Sequence, residues 1–401
     1  MLDATKPLWQ AGACDVAEAV GAGTLTCEAA VGAAVERMRA VNGHLNAVVE
    51  DLGDQALAEA AAADKALADG APAGPLQGVP VTIKVNADQT GCATTHGVMA
   101  FKDNVAGADA PQVTALKEAG AIVIGRTNTP EFSFRATTVN DLHGRTFNPW
   151  NDELSPGGSS GGASSAVMAG MGAVAHGNDI GGSLRFPAWC TGAATVKPGL
   201  GRVAAWNPSQ TEERGMLAQV MSVQGAICRE VRDVRAAMQA LIRPDPRDPW
   251  HVPMPWQGPA LEKKVALTKA GHGFDVDPAV SAALDAAAGA LSDAGYDVQE
   301  IEPPLLAECA AEAAKCLFGE TIEMLGGDIE AHGSETIRAI FAEYARQFGV
   351  HRGRDLLAGY GKRSTYVRAW MQFLADWPLV LTPFMPTMPF TWDRDTEGED
   401  G

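Results

Sequence analysis

The chain lacks the usual marks of membrane passage. It has no run of eighteen or more apolar residues, and its opening, MLDATKPLWQ, has no basic stretch followed by an apolar core. Positive charge is also scarce, with 31 Lys and Arg against 49 Asp and Glu and a formal charge of −18. That balance argues against nucleic acid and against an anionic membrane surface as partners. Cysteines at 14, 27, 92, 190, 228, 309 and 316 form an odd, scattered set without a C-x-x-C pair. Such usage predicts inert thiols in a reducing, cytoplasmic setting rather than a disulfide framework. His and Cys never cluster at zinc spacing, so neither a metal nor a cofactor is expected.

The chain does have apolar residues, at 46%, and 20% charged residues over 401 positions. A chain of that length can bury about three quarters of its unfolded surface and needs no disulfide to fold. Helical spacing of apolar residues marks 14–40, with Thr24 or Thr26 as cap, and the alanine-rich 54–69 reads as a further helix. VPVTIKV (79–85) and AIVIGRTN (121–128) read as buried strands, with a helix over 109–119 between them. Later, VALTKA (265–270) and DVQEI (297–301) flank an alanine-rich helix, 304–375 is mostly helical, and PLVLTPFMP (378–386) reads as a last buried strand. No repeat or linker is visible. The alternation predicts one large α/β domain over 1–401, a mixed twisted sheet with helices on both faces. Residues 204–262, rich in Pro and Trp, read as an irregular insertion, and the acidic 393–401 as a disordered tail.

Three features could carry chemistry. Lys84 ends an apolar strand, where burial would lower its pKa and make a neutral base available. A lysine at a strand end more often snorkels to solvent. Gly157-Gly158-Ser159-Ser160-Gly161-Gly162 lets backbone N–H groups approach a ligand. It fits an anion nest, a nucleophile elbow or a simple helix cap. No Lys follows as in a nucleotide loop, and no strand precedes it as an elbow requires. Third, Gly177-Asn178-Asp179-Ile180-Gly181-Gly182-Ser183 could expose a serine hydroxyl. The N–H groups of Ile180, Gly181 and Gly182 would then form an oxyanion hole. A plain Gly-Gly turn is the alternative.

Taken together, these segments resemble the amidase signature family. GPLQGVPVTIKVNAD, GRTNTPEFSF, FNPWN, GGSSGGASSA and GNDIGGSLRFPAWCTGAATVKP match its motifs in the correct order, densest over 77–200. Ser183 follows Ser159 by the family's interval of 24 residues. The resemblance implies an amidohydrolase with a Ser–cis-Ser–Lys triad. Ser183 would be the nucleophile, Ser159 the bridging serine in a cis peptide and Lys84 the base. It further implies that Ser160, Asp179 and Arg185 support the site, and that Ser133 and Arg135 lie on the segment lining the acyl pocket. The expected partner is a small-molecule amide, with a homodimer as one option.

Several positions depart from the family pattern: Asn178 for Ser or Thr, Val85 for Asp, and Arg135 for Gly. The family also continues past the last strand, whereas this sequence stops at Gly401. An exposed apolar edge near 378–390 is therefore expected. Either a second chain covers it or activity is weakened. Two other functions compete, an amidotransferase component that passes ammonia to a partner acting on glutamyl-tRNA, and a non-catalytic homologue on the same scaffold.

Overall fold

The computed structural model describes residues 2–3 and 5–398. Its contacts group into two compact units, one comprising Met1–Met254, Asp328–Ala339 and Thr391–Gly401, the other Pro255–Gly327 and Ile340–Phe390.

The first unit opens with helices α1 (Ala13–Gly21) and α2 (Cys27–Leu45). Thr26 caps α2 by accepting a hydrogen bond from the Ala29 N–H, one of the donors that a helix start leaves unpaired. Strand β1 (Val48–Asp51), α3 (Gly53–Ala68), β2 (Pro80–Lys84), α4 (Pro111–Glu118) and β3 (Ile122–Thr127) follow. Then come α5 (Gly161–Met168), β4 (Val174–Asp179), α6 (Arg185–Thr191), β5 (Ala194–Thr195), α7 (Met216–Met221), β6 (Val223–Cys228) and α8 (Val231–Leu241). The six strands form one mixed sheet in the order β1-β3-β2-β4-β6-β5. Strands β3, β2 and β4 are parallel, and the outer pairings are antiparallel. Every residue of β2 and β3 is buried, which is why both read as continuous apolar runs rather than alternating ones.

Two expectations for this unit need correction. Residues 204–262 are irregular only at their two ends: 216–241 carry α7, β6 and α8, and β6 is buried throughout and pairs with β4 along its full length. The segment VQGAIC has a Gln and a Gly inside a short run and no alternation, so it gives no period to read. The tail is not disordered over its described part. Asp395 lies in a short 3₁₀ turn (Arg394–Thr396) and accepts two hydrogen bonds from the Arg135 guanidinium, at 2.8 and 2.7 Å. Both side chains of this ion pair are buried. Trp392 N–H also donates to Glu153 O, and the Arg145 guanidinium stacks on the Trp392 ring. Residues 399–401 lie outside the described part. An isolated buried carboxylate is strongly disfavoured. Arg135→Ala is therefore expected to release 391–398 into water, read as faster amide hydrogen exchange there. Unchanged protection would show that the ion pair does not hold the segment.

The second unit carries β7 (Lys264–Leu267), α9 (Pro278–Asp293), β8 (Asp297–Glu300), α12 (Gly353–Asp376), β9 (Leu379–Leu381) and most of α10 (Leu306–His332) and α11 (Glu335–Phe348). Its three strands are parallel in the order β8-β7-β9. Strand β9 is not the buried strand its apolar sequence suggests. It lies at the sheet edge with Leu379 41% exposed, and Phe384 and Met388 are exposed beyond it. The expected apolar edge is thus present. Glu312, Cys316 and His351 also converge in this unit. His351 Nε2 meets Glu312 Oε1 at 3.1 Å, while Lys362 pairs with the other carboxylate oxygen.

Candidate active site

Parallel pairing of β2 with β4 brings the carboxyl ends of both strands to one sheet edge. The register Val81–Val174 and Thr82–Ala175 sets Lys84 beside Gly177 and Asn178. Ligands in α/β folds bind at this edge, because the loops leaving the strands converge there. The loop before α5 brings Ser159 and Ser160 to the same point, and the turn after β4 carries Ser183.

Lys84 is completely buried. Its Nζ lies within hydrogen-bond distance of Ser159 Oγ (2.7 Å), Asn178 Oδ1 (2.9 Å) and Ser160 Oγ (3.1 Å). Burial lowers its pKa to about 7, against a smaller opposing pull from the Asp179 carboxylate. Of the two readings open for this lysine, burial rules out the one in which its side chain reaches solvent. His176 is buried and His96 half-buried, and desolvation lowers both to about 4, so both are neutral at pH 7.

The peptide bond between Gly158 and Ser159 is cis. A side chain at Gly158 would place its Cβ 2.1 Å from the Arg135 carbonyl oxygen, so only glycine allows that loop to pack so closely. A Cβ at Gly177 would sit 2.8 Å from Ser160 Oγ and push that hydroxyl off Lys84. Ser160 makes two contacts here, with Lys84 Nζ through its hydroxyl and with the Ser183 carbonyl, to which its N–H donates at 3.2 Å.

Asp179 organises the turn that presents Ser183. Its carboxylate accepts hydrogen bonds from the N–H groups of Gly182 (2.9 Å) and Leu184 (3.1 Å) and from the Arg185 side chain at 3.0 Å. Burial raises its pKa, but the Arg185 bonds and backbone donors outweigh that and hold it below the usual carboxylate value. This arrangement corrects the expected oxyanion hole. Gly182 N–H is already committed to Asp179 and is not available to a developing oxyanion. The N–H groups of Ile180, Gly181 and Ser183 make no such bond among the described residues. Gly181 is exposed, with open space where a side chain would stand.

The two residues expected to line the acyl pocket have different neighbours. Ser133 Oγ accepts from Asn86 Nδ2 at 3.0 Å and lies 3.2 Å from Thr129 Oγ1. Arg135 lines a cavity of about 260 Å³ with Glu131, Asn140, Ser334 and Trp392, and its guanidinium is committed to Asp395. Phe132 and Ser133 both have positive φ, 53° and 62°, a backbone that side-chain-bearing residues seldom adopt. The Phe132 ring meets Phe101 edge-on at 6.1 Å, and Phe101 in turn meets His96 and His332.

Reasoning from sequence missed the part played by Asn86 and Asn178. Asn178 was visible only as a departure from a pattern and Asn86 only as a polar residue trailing a strand. Their contact spans 92 positions and leaves no local signal.

The Amidase family model matches residues 29–400. An indoleacetamide hydrolase of Bradyrhizobium diazoefficiens is 48% identical over 379 residues, covering 94% of this chain and 72% of the relative. The A-type component of a glutamyl-tRNA(Gln) amidotransferase of Moorella thermoacetica is 37% identical over 289 residues, 70% of this chain and 58% of the relative. Among solved structures, a bacterial aryl acylamidase of the amidase signature enzymes superposes with a TM-score of 0.82 at 26% identity, covering 96% of this chain and 82% of that one.

Proposed function

The chain belongs to the amidase signature family, whose members cleave amide C–N bonds, and from that premise we propose that it hydrolyses the primary amide of a small arylacetic acid through Lys84, Ser159 and Ser183. The observation that carries the reading is the 2.7 Å contact between the buried Lys84 Nζ and Ser159 Oγ, in a chain 48% identical to an indoleacetamide hydrolase. Neutral Lys84 takes the Ser159 proton while Ser159 takes the proton of Ser183. Ser183 Oγ then bonds to the amide carbon. Negative charge on the carbonyl oxygen falls to the free N–H groups of Ile180, Gly181 and Ser183. The C–N bond breaks as the relay returns a proton to the departing ammonia. Water, deprotonated by the same relay, releases the acid and regenerates Ser183.

The ring contact between Phe101 and Phe132, the latter next to Ser133 in the chain, supports an aryl substituent on the acyl side. Seven unpaired thiols support a reducing, cytoplasmic setting. The amidotransferase reading draws on a relative of lower identity, 37% against 48%. Ammonia release from indole-3-acetamide, phenylacetamide and a short aliphatic amide tests the proposal. Turnover is expected to favour the arylacetamides by at least about tenfold, the weight of one well-filled apolar pocket. Preference for the aliphatic amide would overturn the substrate class, and no turnover of any amide by the purified chain would overturn hydrolysis.

A further inference from the structure

We propose that Asn178 and Asn86 form an amide clamp that aims the lone pair of neutral Lys84 at Ser159, making Asn178 a positioning residue for proton abstraction. The inference rests on Lys84 being the base. A neutral amine has two N–H donors and one lone pair, and Lys84 has three partners. Which partner meets the lone pair decides whether the lysine can accept a proton.

The surroundings settle the allocation. Asn178 Nδ2 donates to Asn86 Oδ1 at 2.9 Å, and Asn86 Nδ2 lies 3.3 Å from Asn178 Oδ1. Asn86 Nδ2 also donates to Ser133 Oγ. This reciprocal pairing holds the Asn178 amide with Oδ1 toward Lys84, where it can only accept. One N–H of Lys84 is thereby assigned. Ser160 Oγ donates its own proton toward the Asn178 carbonyl oxygen at 3.4 Å, so it too presents a lone pair to Lys84 and takes the second N–H. The lone pair is left facing Ser159, the shortest of the three contacts. A serine or threonine at 178 would carry a rotatable hydroxyl able to donate as well as accept, and would leave the allocation open.

The charged and titratable groups around Lys84 do not compete for this role. Asp179 is held by Arg185 and by backbone N–H groups. His96 and His176 are neutral at the pH of the assay.

The test is a set of pH–rate profiles on an arylacetamide for the wild-type chain, Asn178→Asp, Asn178→Thr and Asn86→Ala, with Lys84→Ala as the control for the base itself. Asn178→Asp sets a carboxylate against Nζ and favours the ammonium. Its acidic limb should move to higher pH by about one to three units. Asn86→Ala leaves Asn178 and Lys84 in place but frees the amide to turn. Its kcat should fall about tenfold with KM changed less than about twofold, the pattern of an interaction made only in the transition state. Asn178→Thr should keep at least about a tenth of the rate, because its hydroxyl can still accept. A purely structural role would lower stability and leave the limb where it was. An acidic limb in Asn178→Asp that overlays the wild type, or wild-type kcat in Asn86→Ala, would overturn the clamp. Full activity in Lys84→Ala would instead overturn the reading on which it rests.

Discussion

Ser183→Ala is expected to lower amide hydrolysis by about 10⁴- to 10⁶-fold and to abolish covalent labelling by a fluorophosphonate. The substitution removes the only atom that would bond to the amide carbon, and Ser159 is too deeply buried to replace it, at 1% exposure. The fold should survive. The contact that fastens this turn to α5 runs from Ser160 N–H to the Ser183 backbone carbonyl, which alanine retains. The Asp179 bonds to Gly182 and Leu184 are likewise untouched. Substrate binding and the free N–H groups remain, so KM should change far less than kcat. Retained labelling of a correctly folded Ser183→Ala chain would place the nucleophile elsewhere.

The second large effect belongs to Lys84. Lys84→Ala is expected to cut kcat by about 10²- to 10⁴-fold, the usual range for removing a general base. The pH profile follows from the burial that lowers its pKa to about 7. Only the neutral amine has a lone pair, so the wild-type rate should fall about tenfold per pH unit below that value and level off above it. Stability has a related dependence. Between about 7 and the ordinary value of 10.5 the unfolded chain binds more protons at this group than the folded one. The contribution of Lys84 to stability therefore improves as pH rises through that window, and the slope should vanish in Lys84→Ala. A flat rate profile from pH 5 to 9 together with an active Lys84→Ala chain would remove Lys84 from the mechanism.

Much of the fold and site was legible because its signals are local. Thr26 precedes an amphipathic run and caps it. The β-branched stretches at 79–85 and 121–128 are long enough, and apolar enough on both faces, to be buried parallel strands. Lys84, Ser159 and Ser183 stood out because glycines and polar residues cluster around them at a recognisable spacing. Strand β6 escaped notice because six residues with a central Gly carry no period. Strand β9 looked buried because its residues are apolar. Exposure, however, depends on the edge position it takes in its sheet, which composition does not record.

Residue type and short spacing were enough for the family and for the buried strands at 79–85 and 121–128 with the helix between them. Which donors and acceptors remain free once the chain has closed on itself emerged from the folded arrangement alone. Asp179 takes the Gly182 N–H, which the sequence alone had offered as a free donor. Arg135 commits its charge to a carboxylate 260 positions away. Asn86 sets the face that Asn178 turns to the lysine. A hydrogen-bonding group has few bonds to give, and which partner receives each is settled by directions and distances in space, which residue order does not encode.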